Sequence, residues 1–565
     1  MTQQMKRRLN LILAANLCTT LLAGCNSSSD PGSSSTPEPS GSASTPDISS
    51  AETAETEDLN GLVLPLTEEK KELDVWIIYN GTVVEDPNES QGVQKMEERT
   101  NVHVNWLGYT TSEMAEKYSI MLSSGDYPDI VFPGSNAYPG GVMAGINDGV
   151  IYDMNELIAN EMPNYNLLLD SNDEAKKICT FDDGEMHICR VITGTDTTVE
   201  GEGISYGLTY RSDILEDMGL DVPTTIEEWH QVLLQCAADG MTAPMTLESD
   251  GGSSLSLAWG VNTDWASSYW QVDGENVQYA PSLDGFGEYL ETMRQWYQEG
   301  LIDPNFTQGS AIITGNYSNI QDNQTMLFDI WFGFMCGTYL YDNGYITNEN
   351  TVMQAVGLPV LNEGDTPIKC SNVPAAKQEI YISATCEDPV LAARWLDYQY
   401  SYEGMLLSYY GIEGVTYEFD NDGVPQYTDY VFSEENGLTA SQILQSYTLN
   451  AGGGSWFCYQ NLAAGDKVSV RTSSTGTTPT AESKPIWNEP TVNIALPSVT
   501  LTSDESDVIA TYMTAIETLV QEHMVGYIIG SDSTPHEEFV ESLYSYGLQE
   551  CIDAYQAAYE RYLAR

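Results

Sequence analysis

Between Asp74 and Phe132 short apolar runs alternate with amphipathic stretches, and this alternation narrows the fold more than any other feature of the chain. Asp74-Val-Trp-Ile-Ile-Tyr79 has the pattern of a buried strand and ends at Asn80-Gly81, a turn signal. Gln91 to Thr100 has helical character, and Val102-His-Val-Asn-Trp106 alternates as a half-buried strand does. From Glu113 to Ser123, Met114, Tyr118, Met121 and Leu122 fall on one helical face. Asp129-Ile-Val-Phe132 is a third apolar run. Strand, helix, strand, helix, strand predicts the start of an open parallel sheet flanked by helices. Ligands of such sheets sit beyond the carboxyl ends of the strands, which makes Asn80 and Ser135 candidate cleft residues. The competing reading is plain turn chemistry, which both residue types favour.

Later segments keep the α/β character. Thr225 is placed to cap a helix bearing Ile226, Trp229 and Leu233, and Phe286 to Trp296 is a further helix closed by Gly300. Met513, Ile516, Val520 and Met524 recur at helical spacing, as do Ile552, Tyr555, Tyr559 and Tyr562. No solenoid-type repeat is present.

The charge excludes one class of partner. The 565 residues hold 83 Asp+Glu against 21 Lys+Arg, a formal net charge of −62. Such a surface repels phosphate backbones, so no nucleic-acid partner is expected. The hydrophobic share of 41% is enough for a large core.

The first residues read as an address. Lys6, Arg7 and Arg8 precede the mostly apolar Leu9 to Leu22, too short and too interrupted for a comfortable membrane span. Leu22-Ala23-Gly24-Cys25 resembles the lipobox of bacterial lipoproteins. The resemblance implies that residues 1–24 are a signal peptide and that Cys25 carries the lipid. The membrane would then be reached through that lipid only, with the body outside the cell. Residues 25–69, rich in Ser, Pro and acids, read as a disordered tether.

Several motifs then occur in order. Ser124-Gly125-Asp126-Tyr127-Pro128-Asp129-Ile130, Tyr210-Arg211-Ser212-Asp213-Ile214-Leu215 with Gly219-Leu220 and Pro223-Thr224-Thr225, and Gly300-Leu301-Ile302-Asp303-Pro304 follow one another. So do Tyr410-Gly411-Ile412-Glu413-Gly414 and the closing Ala557 to Tyr562. Together they resemble extracellular solute-binding proteins, family 1, the sugar-capturing components of ABC importers. The resemblance implies a two-lobed, periplasmic-binding-protein-like α/β fold with open mixed sheets flanked by helices and a ligand cleft between the lobes. It places the first part of lobe 1 at 70–203, lobe 2 at 204–375, and the second part of lobe 1 with the C-terminal helices at 376–565. It implies a carbohydrate ligand, permease subunits as partners, and no catalysis or cofactor; the net negative charge favours a neutral oligosaccharide over an acidic one.

Sugars present apolar faces rimmed by hydroxyls, so flat aromatics, carboxylates, amides and arginine are the candidate contacts. Gln324-Thr-Met-Leu-Phe-Asp-Ile-Trp331 runs as a strand into a tryptophan, and it resembles the segment carrying a stacking tryptophan in maltose-binding proteins. Trp331 and, two residues earlier, Asp329 are therefore candidates. Trp456 after Gly452-Gly453-Gly454, Trp487, Trp265 and Trp270 are others, whereas Trp76, Trp229, Trp296 and Trp395 read as core. Arg211 is a candidate for a sugar hydroxyl, against a structural ion pair with a nearby acid. Glu418, Asp420 and Asp422 before Gly423 loosely resemble a calcium loop, but Tyr417 to Tyr427 reads better as a hairpin, so no metal is expected. Cys179 and Cys189 flank an expected Asp183-Gly184 turn, where a two-residue hairpin would leave them one register apart; isolated buried thiols are the expectation. No H-E-x-x-H or Gly-Lys occurs. A secreted glycoside hydrolase stays open as the alternative, because its two carboxylates need not be close in sequence. A surface-binding lipoprotein without a transport role is the other.

Overall fold

The strand Lys71–Ile78 pairs in parallel with Val102–Tyr109 along its whole length, and Ile130–Val131 joins its other edge, also in parallel. The expected strand-helix alternation is thus present in space. This is a computed structural model; it describes residues 57–565 apart from 135, 201–205, 264–268, 309–318, 321, 332–350, 372–373, 434–436, 450–457 and 473–478.

The helix Gln91–Thr100 buries Val93, Met96 and Thr100 against this sheet and stops at Asn101, whose left-handed backbone ends the helical path. Met114–Ser124 buries Met114, Tyr118 and Met121, three of the four residues that define its apolar face in the sequence. Three strands from later in the chain extend the sheet. Its order is Tyr459–Asn461, Cys189–Gly194, Ala376–Ile382, Ile130–Val131, Lys71–Ile78, Val102–Tyr109. Ala376–Ile382 runs antiparallel to both its neighbours, so the sheet is mixed. One face covers a core around Val75, Ile77, Met96, Tyr165, Ile192 and Trp395, and the other a smaller core around Trp76, Tyr118, Val131 and Tyr381.

A second mixed sheet has the order Met353–Ala355, Tyr206–Arg211, Leu327–Trp331, Met245–Thr246. Its core gathers Leu208, Trp229, Leu233, Phe286, Tyr289 and Trp296. The helix Ile226–Ala238 opens with a capping box between Thr225 and Glu228, as the position of Thr225 predicts. The two sheets and their separate cores make two lobes. Among the described residues the chain changes lobe three times: between Gly194 and Tyr206, between Ala355 and Ala376, and between Thr472 and Pro479.

The third passage corrects the expected course of the chain after residue 376. The first lobe keeps the chain only to Thr472. The helices Ser503–Ile529, His536–Ser545 and Leu548–Ala564 pack on the second core, with Met513, Ile516, Val520, Met524, Phe539 and Cys551 among its buried residues. Periodicity shows that these helices have an apolar face but not which sheet that face meets. Near the passages, Ile368–Lys369 pairs in parallel with Val492–Asn493, and the Val272 amide donates to the Ile494 carbonyl at 2.7 Å.

Tyr417–Phe419 and Pro425–Tyr427 form the expected hairpin. Asp420 Oδ1 closes its turn by accepting from the amides of Asp422 and Val424, both at 2.9 Å. Cys179 and Cys189 are both free and buried; Cys179 Sγ accepts from the Tyr165 hydroxyl at 3.2 Å. Among the described residues no helix is long and apolar enough to cross a membrane.

Candidate functional site

The carboxyl ends of the first lobe's parallel strands converge on Asn80 and Thr111. The Asn80 side-chain amide donates to Thr111 Oγ1 at 2.9 Å, and its oxygen accepts from the Thr111 amide at 3.2 Å. This reciprocal pair ties together the loops leaving two adjacent strands. The loop after Asn80 is held by Gln445, whose single Oε1 accepts from Thr82 N, Thr82 Oγ1 and Val83 N at 3.1 to 3.2 Å. Tyr79 closes it from below by donating to the Val84 carbonyl at 2.6 Å. Burial, with Asp86 and Glu89 nearby, pushes the Tyr79 phenol up to about 12, so it stays a donor. Gly81 is required here, since an ideal Cβ would lie 2.3 Å from the Val84 carbonyl oxygen.

In the second lobe, Leu327–Trp331 and Met245–Thr246 run parallel and end on the same side. Asp329 is 2% exposed. Its Oδ2 accepts from Ser253 Oγ at 2.7 Å and from the Ser254 amide at 3.1 Å, while its Oδ1 is buried with no hydrogen-bond partner. Burial pushes this carboxyl up, against the pull of those donors. Around it lies a connected set of hydroxyls: Ser253 N donates to Thr263 Oγ1 at 3.1 Å, and Thr263 Oγ1 to Ser256 Oγ at 3.0 Å. A cavity of about 690 Å³ opens beside Glu248 and Asp250, floored by Val525 and Ile529; its lining comes from the second lobe alone.

Each lobe thus has parallel strands whose carboxyl ends fall on one side, with Asn80 at such an end in the first lobe and a buried carboxylate, Asp329, bonded to buried hydroxyls inside the second. The model of the bacterial extracellular solute-binding proteins matches residues 85–406. The chain belongs to that family. A curated relative is the fructooligosaccharide ABC transporter substrate-binding protein FusA of Streptococcus pneumoniae serotype 4, 26% identical over 358 residues, or 61% of this chain. The match spans 63% of that relative's length. Among solved structures, a human-milk-oligosaccharide ("HMO") binding solute-binding protein of Bifidobacterium longum infantis covers 87% of this chain and 99% of its own, with a TM-score of 0.67 and 15% identity. The alginate-binding protein AlgQ2 covers 88% and 99%, with a TM-score of 0.63 and 19% identity. These structures share the two-lobed fold. The matched family model and the curated relative are solute-binding proteins, not hydrolases.

Within this solute-binding protein the sequence candidates separate. Asn80 follows the carboxyl end of Lys71–Ile78, whereas Asp329 is the buried middle residue of Leu327–Trp331; both are already in hydrogen bonds. Trp331 ends its strand opposite Tyr206, and its side chain lies outside the described residues. Ser135, Trp265, Trp456 and Cys25 also lie outside them. Arg211 is 1% exposed and makes a two-pronged ion pair with Asp213, Nε to Oδ1 at 2.8 Å and Nη2 to Oδ2 at 2.7 Å. That pair supports the structural reading of Arg211, while its Nη1 is buried with no hydrogen-bond partner. Trp487 is likewise 1% exposed, packed on Gly207, and corrects the expectation of a cleft tryptophan. Trp270 is buried against Tyr555, with ring centroids 4.4 Å apart. Trp76, Trp229, Trp296 and Trp395 are core, as their spacing predicts. Gln445, Ser253 and Thr111 escape sequence reasoning, because nothing local sets one Gln, Ser or Thr apart from dozens.

Proposed function

We propose that this solute-binding protein captures a carbohydrate, a neutral oligosaccharide, between its lobes and hands it to the permease of an ABC importer. The observation that carries this reading is the pair of strand termini with the buried Asp329 carboxylate and its ring of hydroxyls. Its unpaired Oδ1 is buried here and would accept a sugar hydroxyl once lobe movement uncovers it. The names of the relatives, oligosaccharide-binding in two cases, support the class of ligand. Closure of the lobes follows from differential contact, since a ligand touching both walls favours the state in which they meet.

Asn80, Ser135, Asp329, Trp331, Trp265 and Trp456 are the proposed ligand residues. The lobes run from 70 to 203 with 376 to about 472, and from 204 to 375 with the remainder. Residues 1–24 are read as a signal peptide, Cys25 as the lipidated residue, and 25–69 as the tether that holds the body outside the cell membrane.

A thermal-shift screen against a glycan panel tests the ligand, because a solute that binds only the folded state raises the melting temperature. A shift with neutral oligosaccharides that Trp331→Ala or Asp329→Leu abolishes is the expected result. Shifts with peptides alone would overturn it. Metabolic labelling with a radioactive fatty acid, lost in Cys25→Ser, tests the anchor; equal labelling of both would remove it.

A further inference from the structure

The last helix, Leu548–Ala564, belongs to the second core through Cys551 and Tyr559, yet its final turn reaches the first lobe. Arg561 Nε donates to Asp182 Oδ2, and Arg565 Nη2 donates to Asp182 Oδ1. Arg565 Nη1 also donates to the Lys177 carbonyl at 3.2 Å. The remaining prongs of Arg561 grip the second lobe: Nη1 and Nη2 donate to the two oxygens of Glu505 at 2.8 and 2.6 Å, and Nη2 to the Thr500 carbonyl at 3.1 Å. Lys177 Nζ lies 5.7 Å from the centroid of the Tyr562 ring, and Tyr562 packs against both lobes' cores. Among the described residues, the ion pairs at Asp182 are the ones that join the lobes.

Both sides of the contact are firmly built. Asp182 sits in a turn closed by the Phe181 amide on the Glu185 carbonyl at 2.8 Å. Asp183, next to it, accepts from His187 Nε2 at 2.9 Å, and His187 Nδ1 meets Asp153 at 2.9 Å, so the turn is tied to the first lobe's own framework. On the other side, Glu505 is the third residue of a capping box with Thr502 at the start of the long helix Ser503–Ile529. A planar guanidinium held by one carboxylate from each body has little freedom to slide, because each fork constrains direction as well as distance.

We propose that Arg561 and Arg565 form a clasp with Asp182 that sets the resting angle between the two lobes before any ligand binds. This goes beyond the carbohydrate reading and does not depend on which solute is bound. The clasp shares no residue with the proposed ligand contacts, so its loss removes none of them.

Pulsed electron-spin distances on the unliganded full chain test it, with labels on keto-bearing residues introduced in place of the exposed Glu116 of the first lobe and Asp239 of the second. Asp182→Lys places a cation against two arginines. It is expected to shift the mean distance or widen the distribution about twofold relative to the parent, whereas Asp182→Glu keeps the parent distribution. If Asp182→Lys loses its far-ultraviolet circular dichroism, the paired change Arg561→Gln with Arg565→Gln removes the clasp without adding like charge. A parent-like distribution in a folded clasp-less variant would overturn the proposal.

Discussion

The indole of Trp487 lies against Gly207, and its N–H donates to the carbonyl of Leu208 at 3.0 Å. An ideal Cβ at position 207 would sit 3.0 Å from that ring, so the glycine is what lets helix Pro479–Asn488 lie close on the strand Tyr206–Arg211. Trp487 is therefore a keystone of the second lobe just after the chain returns to it. Trp487→Ala is expected to cost about 3–5 kcal/mol of stability, the usual range for a fully buried aromatic. Urea unfolding followed by circular dichroism reads this. A variant with parent stability but lost glycan binding would return Trp487 to the cleft.

Arg211 and Asp213 make a second test of burial. Asp213 Oδ1 also accepts from the Val352 amide at 3.2 Å, so the pair joins the start of helix Ser212–Met218 to the neighbouring strand. Arg211→Met leaves the acid without its partner and is expected to destabilise the fold by about 3 kcal/mol. Arg211→Lys should rescue little, because an ammonium cannot reproduce the two-pronged geometry. Full stability of Arg211→Met in a thermal melt would contradict the assignment.

Gln445 acts at a distance of hundreds of residues in sequence. Three donors from Thr82 and Val83 end on one amide oxygen and tie the loop to the first lobe. Gln445→Ala should speed amide hydrogen exchange at Thr82 and Val83 by about tenfold or more, while the strand Lys71–Ile78 keeps its protection. Unchanged exchange at both amides would show that the loop is held by other means.

Asp532 gives a pH dependence with a definite sign. Burial alone would raise its carboxyl, but donation from Thr534 N, Thr534 Oγ1 and His523 holds it down to about 2, below the ordinary 3.8. A folded value below the unfolded one means that the ionised form stabilises the fold above pH about 4, and that this contribution fades as pH falls toward 2. Asp532→Asn should melt below the parent at pH 7, with the gap closing near pH 2.5. A gap independent of pH would remove the ionisation from the account.

Much of this molecule is legible from residues alone, and the reason is local. The strand-helix alternation from Asp74 to Phe132, the capping box at Thr225 and the turn at Asn421-Asp422-Gly423 depend on backbone preferences that neighbours in sequence carry with them. Those features determined the α/β class, and the ordered motifs added the family. Tertiary structure alone decided three things. It assigned the C-terminal helices to the second core, since an apolar face does not name the sheet it meets. It buried Trp487 and Trp270 while an unmarked glutamine, Gln445, took hold of a loop at the strand termini. It brought Asp182 to Arg561, 379 residues apart, where each charge is one among many acids or few bases until the chain folds. Burial and pairing are properties of the space around a side chain, and that space is assembled only when distant segments meet.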